Sequence, residues 1–342
     1  MNILIIKLGA IGDVLRTTSV LQALKEKYPD CEISWVTKNK SFDILKNNDF
    51  IDKIHLSDEN LKEKLKGKIF DLIISLDDDS ESCDLASSLN SKKIIGAYLE
   101  NGKRVYTEDS ALWFDIGLIS KFGKEKADEL KALNKKTHQE ILFNILNINN
   151  GKYKICRPIL NLQKEDLKFA KQFAEKNNIG KKDLVIGINT GAGGRWQDKK
   201  LPIEKTIELI DKLNSELKVK LILFGGPAEI ERNKKIKQGI KTDIIDAGCN
   251  NSLMEFASLI NLCKILITSD SLALHIGIAL KRKIVAFFYV TSAAEIELYN
   301  RGIKVIGKGD SYCSYQPVCD DPPDYNINEI IEGVKKLMNF GK

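Results

Sequence analysis

The chain has 342 residues, 43% of them hydrophobic and 29% charged, which excludes a disordered or fibrous protein and predicts two folded domains of roughly 150 residues each. Its net charge of +6 comes from many Lys and few Arg, without a dense Arg cluster or an array of stacking aromatics, so no nucleic-acid partner is expected. The opening Met1–Lys7 run is too short for a signal peptide or a span, and no later run reaches the roughly 18 apolar residues a membrane helix needs.

Short apolar runs then alternate with amphipathic stretches, the rhythm of βαβ units in a parallel sheet. Strands are predicted at Ile3–Lys7, Glu32–Thr37, Lys53–Leu56, Asp71–Leu76 and Lys93–Gly96, with helices at Asp13–Tyr28 and Ser41–Asn47. A polar stretch from Leu99 to Thr107 and a Lys-rich helical segment from Lys121 to Ile148 complete this half. The pattern breaks at Asn149–Lys152, and Arg157-Pro158 reads as extended, which puts a linker at 149–162. The rhythm then repeats, with strands expected at Leu184–Asn189, Lys220–Phe224, Asp243–Asp246, Ile265–Thr268, Ile284–Phe288 and Ile303–Ile306. Ser252 and Glu255 form a capping box ahead of an apolar helix face. Domains are accordingly drawn as 1–155, 156–325 and a final helix within 326–342 that in such folds can return to pack on the first domain. Two Rossmann-like α/β halves, facing across a cleft, make the GT-B architecture the natural candidate.

Three segments carry chemistry. In the first, the strand ending at Lys7 opens into a turn with Gly9 and Gly12, and a helix begins near Asp13. Asp13 therefore suits a general base taking a proton from a hydroxyl, or a helix cap, with the local sequence leaving both open. The second is Asn189–Pro202, where Gly191, Gly193 and Gly194 supply pliable backbone beside Arg195 and Lys199, a combination that suits a diphosphate. No Gly-Lys-Ser/Thr ending follows, so a Walker loop is excluded; a solvated basic loop is the alternative. The third runs from Ile265 to Gly277, where a strand passes directly into a helix at Ser271, with Asp270 before it and His275 one turn inside. A helix start of this kind attracts anions. The seven cysteines are scattered without a Cys-x-x-Cys pair and read as reduced thiols, Cys313 and Cys319 lying close together in a polar loop; no metal site is expected. The acidic run Asp77-Asp78-Asp79 reads as a solvated loop.

Taken in order, Gly12-Asp13-Val14, Gly194-Arg195-Trp196 with Lys199 and Pro202, Phe224-Gly225-Gly226-Pro227-Ala228-Glu229, and Asp270-Ser271 with His275 resemble the bacterial heptosyltransferases, glycosyltransferase family 9, across the whole chain. The resemblance implies a GT-B enzyme that binds its donor mainly through the second domain and inverts the anomeric carbon without a divalent metal or other cofactor. It implies Asp13 as general base, Lys199 on the donor phosphates, Asp270, Ser271 and His275 as the phosphate-side motif, and Glu229 near the donor ribose. It further implies ADP-heptose as donor, a lipid-anchored lipopolysaccharide-core acceptor, a cytoplasmic location and transient contact with the inner membrane. Leu272 stands where the family often has Gly, Leu201 where Trp is frequent before Pro, and Asn251 in the stretch that frames the base. A nucleotide-sugar epimerase of similar architecture and a catalytically silent nucleotide-sugar-binding module are the rival readings.

Overall fold

The computed structural model describes residues 1–116, 119–148, 156–194 and 197–339. The chain divides into two compact units, Met1–Asn161 and Leu162–Lys342. This boundary falls inside the expected linker but later than residue 156. The reason is local: Ile159 N–H donates to Thr18 Oγ1 at 2.8 Å and the Asn161 amide to the Asn47 carbonyl at 2.8 Å, which ties 156–161 to the first unit. Residues 149–155 lie outside the described residues.

In the first unit, strands β1 (Asn2–Ile6), β2 (Glu32–Thr37), β3 (Lys53–Leu56), β4 (Leu72–Ser75), β5 (Ile94–Glu100) and β6 (Lys103–Tyr106) form one sheet in the order β3-β2-β1-β4-β5-β6. Ile3, Leu4, Ile5 and Ile6 are all fully buried, the unbroken apolar run a parallel strand needs when both sheet faces are covered. Among the described residues of this sheet, only β5 and β6 pair antiparallel. Their turn is Asn101-Gly102, both at positive φ (50° and 73°), so the polar stretch Leu99–Thr107 is a hairpin whose Asn-Gly signal was present in the sequence.

Two long helical expectations are divided. Helix α1 (Ile11–Thr17) ends in a 3-10 turn, Thr18–Val20, before Leu21–Lys27 resumes. Thr17, Thr18 and Ser19 in succession bond back to the carbonyls of Asp13, Leu15 and Arg16, which tightens the chain there. The Lys121–Ile148 stretch is broken by Gly123 at φ 81° and again before His138–Ile145, where Thr137 and Glu140 make a reciprocal cap. Helix α2 (Ser80–Ser88) follows β4.

In the second unit, β7 (Val185–Asn189), β8 (Lys220–Phe224), β9 (Ile245–Asp246), β10 (Ile265–Ser269), β11 (Lys283–Phe288) and β12 (Gly302–Ile306) form an all-parallel sheet in the order β9-β8-β7-β10-β11-β12. Helices α3 (Ile203–Glu216), α4 (Leu272–Ala279) and α5 (Ile327–Asn339) pack on it. Pro202 is the capping residue just before α3. Ile327, Ile330, Ile331, Val334 and Leu337 of α5 are buried in the second unit's own core with Leu209, Leu213 and Val285. Each such side chain contributes about 1.5–3 kcal/mol by burial. Among the described residues no helix is long and apolar enough to cross a membrane.

Both sheets reverse direction of growth at one place, between β1 and β4 and between β7 and β10. Ligands of open parallel sheets bind beyond the carboxyl ends of the strands at such a switch point.

Candidate active site

At the switch point of the first unit, β1 runs into Lys7–Ala10 and then α1. Ala10 is the capping residue, so Asp13 is the third residue of the helix and does not occupy the cap position. Its carboxylate is about a third exposed and meets Arg16 Nη2 at 3.0 Å. An acid in the first turn is favoured by the helix dipole, and this one also reaches solvent. Gly12 is buried inside α1.

The turn itself is held by a residue the sequence reading dismissed. Asp77, beyond the end of β4, accepts from Leu8 N–H at 2.5 Å and Gly9 N–H at 3.1 Å through Oδ2, while Oδ1 pairs with the Lys7 ammonium. A Cβ on Gly9 would lie 3.1 Å from Asp77 Oδ1, so a side chain there would crowd that carboxylate. Lys7 is buried, also donates to the Leu76 carbonyl at 3.3 Å, and lies 5.8 Å from the Trp113 ring centroid. The solvated-loop expectation for 77–79 is therefore corrected at Asp77 and Asp78, while Asp79 is exposed as expected. Asp78 accepts from Tyr106 Oη at 3.2 Å and Arg104 Nη1 at 3.3 Å, and Asp79 caps α2.

In the second unit, the switch point gathers the other predicted residues. Lys199, in a 3-10 turn, sits 2.9 Å from Asp270 Oδ2 and donates to the Asp270 carbonyl at 3.2 Å. His275, on the first turn of α4 and nearly buried, places Nε2 3.8 Å from the other Asp270 oxygen. Ser271 is the capping position of α4. Lys199 and His275 thus both lie against Asp270, the residue next to Ser271. The segment carrying Lys199 is pinned from outside: Gln197 N–H donates to the Pro317 carbonyl at 3.1 Å, and Asp198 Oδ2 accepts from Cys319 N–H at 2.6 Å.

Glu229 belongs to the same end of the sheet but is almost wholly buried, its carboxylate 3.0 Å from Lys200 and accepting from Gly226 N–H at 3.1 Å. A Cβ on Gly191 would lie 2.9 Å from Glu229 Oε2, so the glycine permits the loop to pass over that carboxylate. Gly193 has φ 76° and Gly194 faces open space. Arg195 lies outside the described residues. Lys200, Asn189 and Thr268 were missed by sequence reading. Asn189 alone carried a signal, a polar residue closing a buried strand.

The loop 307–325 is fastened by Asp321, which accepts from Ser311 Oγ, from Tyr289 Oη at 2.5 Å and from the N–H groups of Asp310 and Ser311 at 2.6 and 3.2 Å. The Ser311 and Tyr289 hydroxyls hold the Asp321 carboxyl well below the usual carboxylate range, while burial and that carboxylate push the Tyr289 hydroxyl up to about 12. Cys313 and Cys319 are both buried in this loop. Among the described residues no group of three His, Cys, Asp or Glu could hold a metal ion.

The chain is 24% identical to lipopolysaccharide heptosyltransferase 1 of Campylobacter coli, over 99% of this chain and 91% of that protein. Among solved structures it superposes on a family 9 glycosyltransferase from Veillonella parvula with a TM-score of 0.77 at 20% identity, covering 98% of this chain and 97% of that one. It also superposes on ADP-heptose lps heptosyltransferase II of E. coli, with a TM-score of 0.68 at 17% identity over 99% and 98% of the two chains. These likenesses bear out the GT-B expectation. The family profile of glycosyltransferase family 9 (heptosyltransferase) matches residues 59–321, more than half of the sequence, and the chain belongs to that family of glycosyltransferases.

Proposed function

We propose that the protein transfers a heptose from ADP-heptose to a lipopolysaccharide-core acceptor, with inversion and without a divalent metal. The observation that carries this reading is the convergence of Lys199, Asp270, His275 and the start of α4 at the switch point of the second unit, in a member of a heptosyltransferase family. A diphosphate needs fixed positive charge where its own charge grows as it leaves, and an ammonium beside a helix start supplies that. Lys199 takes this role, with Arg195 as a second cation from the same loop. His275 supports Asp270, and Glu229 lies nearest the donor ribose. Asp13 receives the proton of the acceptor hydroxyl as it attacks the anomeric carbon: a solvent-reaching carboxylate at a sheet switch point is suited to general-base work. ADP-heptose and lipopolysaccharide are the substrates for which the E. coli and Campylobacter coli relatives are named. A lipid-anchored acceptor brings the enzyme transiently to the inner face of the inner membrane.

The test is ADP release from ADP-heptose with a heptose-deficient lipopolysaccharide acceptor, run with and without EDTA, with the product's anomeric configuration read by NMR. Acceptor-dependent release at the same rate in EDTA, with inversion, supports the proposal. Loss of activity in EDTA with recovery on Mg²⁺ or Mn²⁺ refutes metal independence, and release without acceptor refutes transfer.

A further inference from the structure

A serine at the first position of a helix ordinarily turns its hydroxyl to the free N–H groups of the first turn. Ser271 does not: it holds the capping position of α4 with extended backbone and makes no side-chain capping bond. Its hydroxyl points the other way, 3.0 Å from Thr268 Oγ1 and 3.3 Å from the Asn189 amide nitrogen. Thr268 Oγ1 in turn donates to the Ser269 carbonyl at 3.1 Å and accepts from Asn189 at 3.1 Å. Either hydroxyl can donate across the Ser271–Thr268 contact, and Asn189 reaches Ser271 with the longest of the bonds that its two amide hydrogens share. The same Asn189 amide donates to the Gly191 carbonyl at 2.8 Å, so one buried side chain at the end of β7 joins the glycine loop to the start of α4.

We infer that Asn189 and Thr268 are positioning residues, which draw the Ser271 hydroxyl inward and so keep the first N–H groups of α4 open for an anionic donor. Neither residue need touch the donor. Thr268 is fully buried, and it works through the hydroxyl it holds. Released from this partner, the Ser271 hydroxyl turns to its own helix and competes with the diphosphate for the same N–H groups. The inference rests on the reading that the donor diphosphate meets α4 beside Lys199.

The experiment is a double-mutant cycle on the full-length protein, with ADP as the probe and affinity read by calorimetry. Thr268→Val should weaken ADP binding about five-fold, the strength of a helix-capping hydrogen bond expressed as an equilibrium ratio. Thr268→Ser, which restores a hydroxyl, should return the affinity to near its original value. In a Ser271→Ala background, Thr268→Val should have no further effect, because no hydroxyl remains to compete. A merely structural role for Thr268 would give the same loss in both backgrounds, and that result overturns the inference, as does an unchanged affinity in Thr268→Val alone. Should the valine variant fail to fold, Thr268→Ala carries the same cycle, since it removes the hydroxyl without adding bulk. Lys199→Ala separates the two levels: if it leaves ADP affinity unchanged, the diphosphate reading fails, whereas a loss there with no effect at Thr268 rejects the positioning role alone.

Discussion

Replacing Asp77 by Ala tests whether the turn before Asp13 is held as described. The substitution leaves the Lys7 ammonium, only 5% exposed in its side chain, with the Leu76 carbonyl at 3.3 Å, and takes the acceptor from two N–H groups at 2.5 and 3.1 Å. Removing one partner of a buried pair typically costs about 3–5 kcal/mol, because the remaining charge is stranded. For a unit of this size each kcal/mol lowers the melting temperature by about 2–4 °C, so about 4 kcal/mol should lower the transition of the first unit by about 8–16 °C. Asp77→Asn should cost less, since the carboxamide oxygen still accepts from Leu8 and Gly9. Lys7→Met combined with Asp77→Asn should recover most of the loss, as no buried charge then remains. Differential scanning calorimetry on the four proteins is the assay. A shift below about 3 °C for Asp77→Ala would mean that water or another group meets these donors, and that the pair does not organise the turn.

Three further outcomes follow, two from the switch points and one from the loop 307–325. Asp13→Asn keeps the shape but removes the proton acceptor, so kcat should fall by about 10²–10⁴-fold with ADP affinity little changed; near-normal turnover would send the search to another base. Lys199→Ala should weaken ADP binding as well as turnover, by the about 1.5–3 kcal/mol of a charge-assisted contact, and calorimetry beside steady-state rates distinguishes the two patterns. Asp321 has a depressed pKa, so its stabilising effect is complete above the unfolded value of about 3.9 and is lost as pH falls through the folded value. The gap in urea midpoint between the parent protein and Asp321→Asn should therefore be widest near neutral pH and narrow in acid below about pH 4; a gap independent of pH refutes the assignment.

Much of this was readable from residues alone, for identifiable reasons. Parallel strands such as Ile3–Ile6 and Ile265–Ser269 are buried on both faces and announce themselves as apolar runs. The junction Asp270-Ser271 was readable because strand and helix abut there without a loop. What escaped depended on partners distant in sequence. Asp77 is 70 residues from Lys7, and nothing in an Asp-Asp-Asp run says that its first member lies against a glycine turn on another strand. Asn189 and Thr268 are 79 residues apart and meet only because β7 and β10 are neighbours at the switch point. The helix breaks had local causes that were underread: the successive hydroxyls Thr17–Ser19, the Gly123 stop, and the Thr137–Glu140 cap.

The Lys199–Asp270 contact bears on how a donor arrives and leaves. Both side chains are mostly shielded, at 12% and 16% exposure, so the ammonium never waits as a stranded charge. If Lys199 holds the donor diphosphate as proposed, an incoming phosphate meets a cation whose counter-ion is already in place, which makes the encounter an exchange of one anion for another. Exchange releases fewer solution ions than neutralising a bare cation does, so affinity at this lysine should respond only weakly to ionic strength. It also works in reverse. On the same proposal, Asp270 is at hand to recover its partner as the spent nucleotide departs, so release need not leave the ammonium uncompensated.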